Sequence, residues 1–256
     1  MANRKIKFSQ KIVLLDNEGT IVTCNYVKNV LMKFALNKLK KDFDELWKIE
    51  KFRSAVEKLK EKFAENIANN IQVRPVSENE TEKESLLKNV VWHLQLGRES
   101  NVLHLMRDIE GYILKNALLS KELPKLEVFE DVKPALKLWK EKGRKLYIYS
   151  SAGEEEQSYF CAYTSVGNIG KYFSKFFDLN MGSKTDTTSF TAIAKFINCS
   201  TNDILYITDT PKEAEAAKKA GCKVLIIDRP SNDPCTPDDK AKFEFITSFD
   251  QLIPEE

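Results

Sequence analysis

An alternation constrains this chain more than any other feature. Short apolar runs of β character occur at 11–15 (KIVLL), 145–149 (KLYIY), 203–208 (DILYIT) and 222–228 (CKVLIID), with FEFI at 243–246 as a weaker fifth. Helical patterns lie between them at 132–142, about 154–165, 188–198 and 212–220. Strands that alternate with helices build a parallel sheet through right-handed crossovers. Near-continuous apolar strands fit a sheet covered on both faces.

The stretch from about 26 to 122 has a different texture. Val27, Val30, Leu31, Phe34 and Ala35, then Leu46, Ile49, Phe52, Val56, Leu59 and Phe63, recur at helical spacing. The loop VRPVSENE (73–80) breaks the run, and Thr81 with Glu84 then offers a capping box for a further helix. No strand, internal repeat or low-complexity tract is read there. The expected fold class is α/β, a Rossmann-like parallel sheet core with a helical insertion after its first strand. The core takes 1–22 and 126–256, and the insertion takes 23–125. RPSNDPCTPDD (229–239) reads as loop, and EFITSFDQL (244–252) as a return to the core.

Composition narrows the partners. The chain has 256 residues, 40 basic and 38 acidic, for a net charge of +2. That balance argues for neither nucleic acid nor a membrane surface. No apolar run approaches the roughly 20 residues of a membrane span, and the start MANRKIKFSQ does not read as a signal peptide. Cys24, Cys161, Cys199, Cys222 and Cys235 are scattered without a CxxC pair, which reads as free thiols in a reducing cytosol. His93 and His104 both fall in the amphipathic 85–107 segment, where surface or packing roles are expected.

Three of the strands end on polar groups: Asp16 in LLDNEGT, Ser150 with Ser151 in LYIYSS, and Asp209 in YITDTPKE. Ligands of open parallel sheets bind beyond the carboxyl ends of the strands, so these residues can converge on one crevice. Lys184, in NMGSK, comes between the second and third of them, just before a helix expected from about Thr187. Two carboxylates spaced two apart repel each other and lose solvation, so something positive is expected beside them. Asp16, Glu18 and Asp209 offer hard oxygens that suit Mg2+. Lys184 and the serine hydroxyls would hold the remaining oxygens of a phosphate. Asp16 would then attack phosphorus to give an aspartyl-phosphate, with Glu18 as general acid and then general base.

The ordered set LLDNEGT, YVKNVL, VFEDVKPALKLWKEKG, LYIYSS, NMGSK and ILYITDTPKEAEAAKKAG, followed by RPSNDP, resembles the haloacid-dehalogenase-like phosphatase superfamily. More narrowly, it resembles the enolase-phosphatases of methionine salvage. The likeness covers roughly 10–35 and 126–235; the middle helices match weakly. It implies a helical cap inserted after the first motif, Mg2+ as cofactor, and Asp16 as both nucleophile and metal ligand. It implies Glu18 as acid/base that also offers its main-chain carbonyl to the metal, Ser150, Ser151 and Lys184 on the substrate phosphate, and Asp209 on the metal. Glu213 is a further candidate, as a partner that does not ligate the metal. The substrate implied is 2,3-diketo-5-methylthiopentyl-1-phosphate, first enolised and then dephosphorylated to the acireductone. The enzymes it resembles are cytoplasmic and often monomeric, with nuclear presence left open here.

This chain departs from the family pattern at named positions. Asn17, Ile21 and Thr23 replace the usual Ile, Thr and Pro of the first motif, and Ser151-Ala152-Gly153 replaces Ser-Gly-Ser. Met106, Arg107 and Glu110 stand before Gly111-Tyr112 where the family tends to show Gln-Gly and a Trp. The departures gather where substrate shape would be read. Two alternatives stay open: a related phosphatase of another small phosphate ester, and a scaffold that kept the fold without turnover.

Overall fold

The strand before Asp16, Ile12–Leu15 (β2), is central in a six-stranded sheet and buried along its whole length. The computed structural model describes residues 4–69, 74, 81–96 and 103–256. The sheet strands are β2, Lys145–Tyr149 (β3), Phe173–Phe177 (β4), Ile204–Thr208 (β5), Lys223–Ile227 (β6) and Phe245–Ile246 (β7). Their order is β4-β3-β2-β5-β6-β7, and every pairing is parallel. The chain builds outward from β2 on one side, then returns to the other side of β2 for β5. That reversal opens a crevice beyond the carboxyl ends of β2 and β5.

Strand parity decides what faces what, because successive side chains on a strand point to opposite faces. Ile12, Leu14, Tyr147, Tyr149, Ile204, Tyr206, Val224 and Ile226 share one face. The helices Thr187–Phe196 (α8) and Pro211–Lys219 (α9) cover it through Phe190, Ile193, Ala194, Ala214 and Ala217. Asp16 continues the parity of Ile12 and Leu14, so it is directed towards α8 and α9. On the other face lie the buried Val13, Leu15, Leu146, Ile148, Leu205 and Ile207. The helix Val132–Glu141 (α6) contacts β3 and buries Leu136 and Trp139.

Three strands were not legible as such. Ile6–Phe8 (β1) and Leu252–Pro254 (β8) form a separate two-stranded parallel ribbon. β4 (FSKFF) is an edge strand, with only Phe177 fully buried, and it has no β-branched residue. The helix expected to about 165 is Glu154–Ala162 (α7), and the one expected from 188 is α8.

By its internal contacts the chain divides into Met1–Val27 with Lys125–Glu256, and Lys28–Pro124. The first unit holds the sheet, with a short turn of helix at Cys24–Tyr26 (α1). The second is helical in its described residues: Met32–Trp47 (α2), Glu50–Ala68 (α3), Glu82–Leu96 (α4) and Leu103–Leu119 (α5). Phe52, Val56 and Leu59 from α3 are buried, and Phe43 of α2 meets Phe52 edge-on at 6.0 Å. The capping box at the start of α4 is formed, with the Thr81 amide 2.9 Å from Glu84 Oε2 and the Glu84 amide 3.2 Å from Thr81 Oγ1. His93 is buried in α4, and burial holds its pKa down at about 4, so it packs as a neutral ring at neutral pH. Apart from Arg74, which donates to Asn89 Oδ1 at 2.9 Å, the loop read at 73–80 lies outside the described residues. The side chains of His104 and Arg107 lie outside them as well. Among the described residues no helix is long and apolar enough to cross a membrane.

Candidate active site

Register places the polar strand ends side by side. Leu15 is opposite Ile148 on β3 and Ile207 on β5, so Asp16 emerges between Tyr149 and Thr208. The Asp16 amide donates to Ile207 O at 2.9 Å, which fixes the main chain where the strand ends. Ser150 and Ser151 then leave β3 at the same end of the sheet, and Asp209 leaves β5 there.

Parity turns the Asp16 carboxylate towards the loop before α8. That loop is pinned from two sides: the Tyr149 hydroxyl donates to Gly182 O at 2.8 Å, and the Ser189 hydroxyl donates to Ser183 O at 2.8 Å. It delivers Lys184 with its Nζ 2.5 Å from Asp16 Oδ1 and 2.8 Å from Glu213 Oε2. All three side chains are buried. Glu213 comes from the first turn of α9, whose Pro211 needs no amide partner at that position. Its Oε2 also accepts from the Tyr206 hydroxyl at 2.8 Å and lies 2.9 Å from Thr208 Oγ1. Thr208 Oγ1 is 3.3 Å from Asp16 Oδ2, which closes a ring of contacts around the carboxylate.

Charge accounts for the protonation of this ring. Burial alone pushes the Lys184 ammonium down, but the Asp16 and Glu213 carboxylates outweigh it and hold its pKa above the ordinary lysine range. Tyr206 is pushed far above the ordinary tyrosine value, by burial first and then by the charges of Glu213 and Asp16, so it remains a donor. One cation therefore meets two buried carboxylates, and the uncompensated negative charge favours a further cation at the site.

Gly19 carries the tightest geometric demand. Its φ is +76°, a region that side-chain-bearing residues avoid, and its amide donates to Val22 O at 2.8 Å. A Cβ built there would lie 2.2 Å from Asp209 Oδ2. The absent side chain thus lets the Asp209 carboxylate pack against the loop that carries Asp16. Gly19→Ala would displace Asp209 and add left-handed strain of about 1–2 kcal/mol. We expect activity to fall at least tenfold while the melting temperature drops by only a few degrees; activity assays beside thermal unfolding check it.

Among the described residues no three His, Cys, Asp or Glu side chains are grouped to hold one metal ion. Asp16, Glu18 and Asp209, read from the sequence as hard-oxygen donors, all follow the carboxyl ends of β2 and β5; Glu18 lies in the turn after Asp16, where its main chain bridges to Val22. Residues that could hold Mg2+ through hard oxygens here are Asp16, Glu18 and Asp209. The negative balance of the site agrees with that donor set.

Ser150 is buried and its Oγ accepts from the Ala152 amide at 3.2 Å, so it shapes the loop that enters α7. Gln157 fixes the same loop by donating to Ala152 O at 2.7 Å and Phe177 O at 3.0 Å. Sequence reasoning passed over Gln157, Thr208 and Tyr206. The signal available was parity, since residues 206 and 208 share the face of Asp16.

A model of the haloacid dehalogenase-like hydrolase family matches residues 10–221. The enolase-phosphatase E1 of Acyrthosiphon pisum is 34% identical over 246 residues, covering 96% of this chain and 98% of its own. That of Xenopus tropicalis is 36% identical over 247 residues, covering 94% of this chain and 93% of its own. The bacterial enolase-phosphatase E1 of Aquifex aeolicus is 33% identical over 242 residues, covering 94% and 98%. Among solved structures, the UTR4 protein of Saccharomyces cerevisiae superposes with a TM-score of 0.68 at 20% identity, over 94% of this chain and 98% of that one. A strand-end aspartate held by a buried lysine is thus found within near full-length likeness to these proteins, and the chain belongs to the haloacid dehalogenase-like hydrolases and, within them, to the enolase-phosphatases.

Proposed function

We propose that the chain is the enolase-phosphatase of methionine salvage, a phosphoric monoester hydrolase that works through an aspartyl-phosphate on Asp16. The observation that carries this reading is the buried Asp16–Lys184 contact at the carboxyl end of β2. A carboxylate fixed at a strand end by a buried lysine is presented as a nucleophile. Asp16 attacks phosphorus as the ester P–O bond breaks, and Glu18 gives its proton to the leaving oxygen. Water then attacks the aspartyl-phosphate, Glu18 takes a proton from it, and phosphate leaves with Asp16 restored. Lys184, Ser150 and Ser151 hold the non-bridging oxygens. Mg2+ held by Asp16, Asp209 and the Glu18 carbonyl would neutralise phosphate charge. Enolisation of the diketone precedes this and draws on groups held against the carbon chain, where Asn17, Ala152 and Gly153 are the departures. We assign residues 28–124 as the cap domain, and the cytoplasm and a single-chain state as its setting.

The test follows enol absorbance and free phosphate together on 2,3-diketo-5-methylthiopentyl-1-phosphate, with Mg2+ and then with a chelator. Both signals are expected with Mg2+, and phosphate release should fall to background once the metal is removed. Full activity in the chelator would overturn the metal-assisted reading. Hydrolysis of p-nitrophenyl phosphate without any turnover of the diketone would leave a phosphatase of another small ester.

A further inference from the structure

We infer that the turn Arg229–Asn232 sets the geometry of the nucleophile loop, with Asn232 and Arg229 as positioning residues for phosphoryl transfer. The inference rests on the phosphatase reading above and adds residues that touch no reacting atom. β6 ends at Ile227 beside β5, so the chain leaving it passes the mouth of the crevice. The Asn232 amide closes the turn by donating to Arg229 O at 3.1 Å.

Two side chains of this turn grip successive main-chain carbonyls of the DNEGT loop. Asn232 Nδ2 donates to Gly19 O at 3.0 Å, and Arg229 Nη2 donates to Thr20 O at 3.3 Å. Each gripping residue is itself fixed. Asn232 Nδ2 lies 3.2 Å from Ile227 O, and its Oδ1 accepts from the Cys24 thiol at 3.5 Å. Arg229 Nη1 lies 2.8 and 2.9 Å from the two oxygens of Asp131. Its guanidinium carbon lies over the Phe129 ring, 4.3 Å from the centroid, and over the Phe249 ring, 5.0 Å from the centroid. Asp131 is completed by the Ser248 hydroxyl at 3.0 Å and the Phe249 amide at 2.6 Å.

The grip matters because of what Gly19 carries. Its amide is committed to Val22 O and its carbonyl to Asn232, so the two peptides that flank Gly19 are each held in one orientation. The Glu18 carbonyl is opposite that amide, which points at Val22. Asn232 Oδ1 and Asp209 Oδ2 would both crowd a Cβ at Gly19, at 3.0 and 2.2 Å. Asn232 therefore adjoins the same spot as the Asp209 carboxylate. Loss of its carboxamide frees the Gly19–Thr20 peptide, which adjoins the one bearing the Glu18 carbonyl, and opens space beside Asp209.

The experiment uses the full chain with Asn232→Ala, and with Asn232→Asp, which keeps the shape and the acceptor for Cys24 but donates nothing to Gly19. Mg2+ binding is measured by calorimetry without substrate, beside steady-state kinetics on p-nitrophenyl phosphate. We expect Mg2+ affinity to weaken about tenfold or more in Asn232→Ala, and kcat to fall about ten- to hundredfold in both variants, the scale of a misplacement near the reacting atoms. KM for the ester should stay within about threefold. A folded variant of either kind with unchanged Mg2+ affinity and unchanged kcat overturns the inference. So does an Ala variant that loses only stability while the Asp variant keeps wild-type kinetics. A wild-type chain that released no phosphate would overturn the phosphatase reading instead, and the Mg2+ affinities of the same variants would still decide the grip.

Discussion

Asp16→Asn leaves a folded chain whose turnover falls about a thousandfold or more. The fold survives because the change removes one of two carboxylates that share a single buried cation. Lys184 keeps Glu213 at 2.8 Å, and the neutral amide still occupies the end of β2. Turnover does not survive, because an amide oxygen is too weak a nucleophile to displace an ester oxygen from phosphorus. The measurement is steady-state phosphate release beside circular dichroism and thermal unfolding. Near-normal turnover in a folded Asp16→Asn chain would remove Asp16 from the mechanism, and with it the aspartyl-phosphate.

Lys184→Met produces the second large effect, on stability as well as rate. The ammonium stands 2.5 Å from Asp16 and 2.8 Å from Glu213, and its removal strands two carboxylates in a buried site. Breaking a buried pair from one side destabilises by about 3–5 kcal/mol. Loss of a charge-stabilising donor reduces turnover by about a hundred- to thousandfold. In the wild type, the folded pKa of Lys184 is raised above its ordinary value of 10.5. Its contribution to stability is therefore complete at neutral pH and is lost only as alkali carries the pH up through that raised value. Unfolding in denaturant at neutral pH, wild type beside variant, checks the loss of stability. A variant as stable as the wild type would mean that the carboxylates find solvent without the lysine.

The architecture was legible because this sheet is buried on both faces. Runs such as KIVLL and DILYIT carry enough apolar residues to stand out, and their polar successors mark the strand ends. Asp16, Ser150 and Asp209 were read for that reason, each from the residues just before it, and Lys184 from its place after Gly182 and before a helix. The edge strand β4 was not, since half-exposed Phe173, Lys175 and Phe176 imitate a loop. β1 and β8 were missed because three residues carry too little periodicity to register. Glu213 was seen only as a distant partner, though it meets Lys184 directly. Its role depends on α9 packing over β5, which no local pattern announces. Asn232 and Arg229 are harder still: a loop asparagine and a loop arginine look solvated until the turn is seen gripping Gly19 and Thr20.

The all-parallel sheet has a consequence for synthesis. Ile12 pairs with Lys145 on one side and with Ile204 on the other, roughly 190 residues further along the chain. A ribosome adds about 5–20 residues per second, so β2 waits on the order of 10–40 s for its second neighbour. Residues 28–124 can satisfy their own local contacts meanwhile, but IVLL cannot, and it spends that interval as an apolar segment with an unpaired edge. The residues that grip, pair with and charge the nucleophile all arrive after position 180. A truncated or stalled nascent chain would therefore be inactive and sticky at its beginning, and a strand-capping chaperone should find its first binding site within the ten residues that precede Asp16.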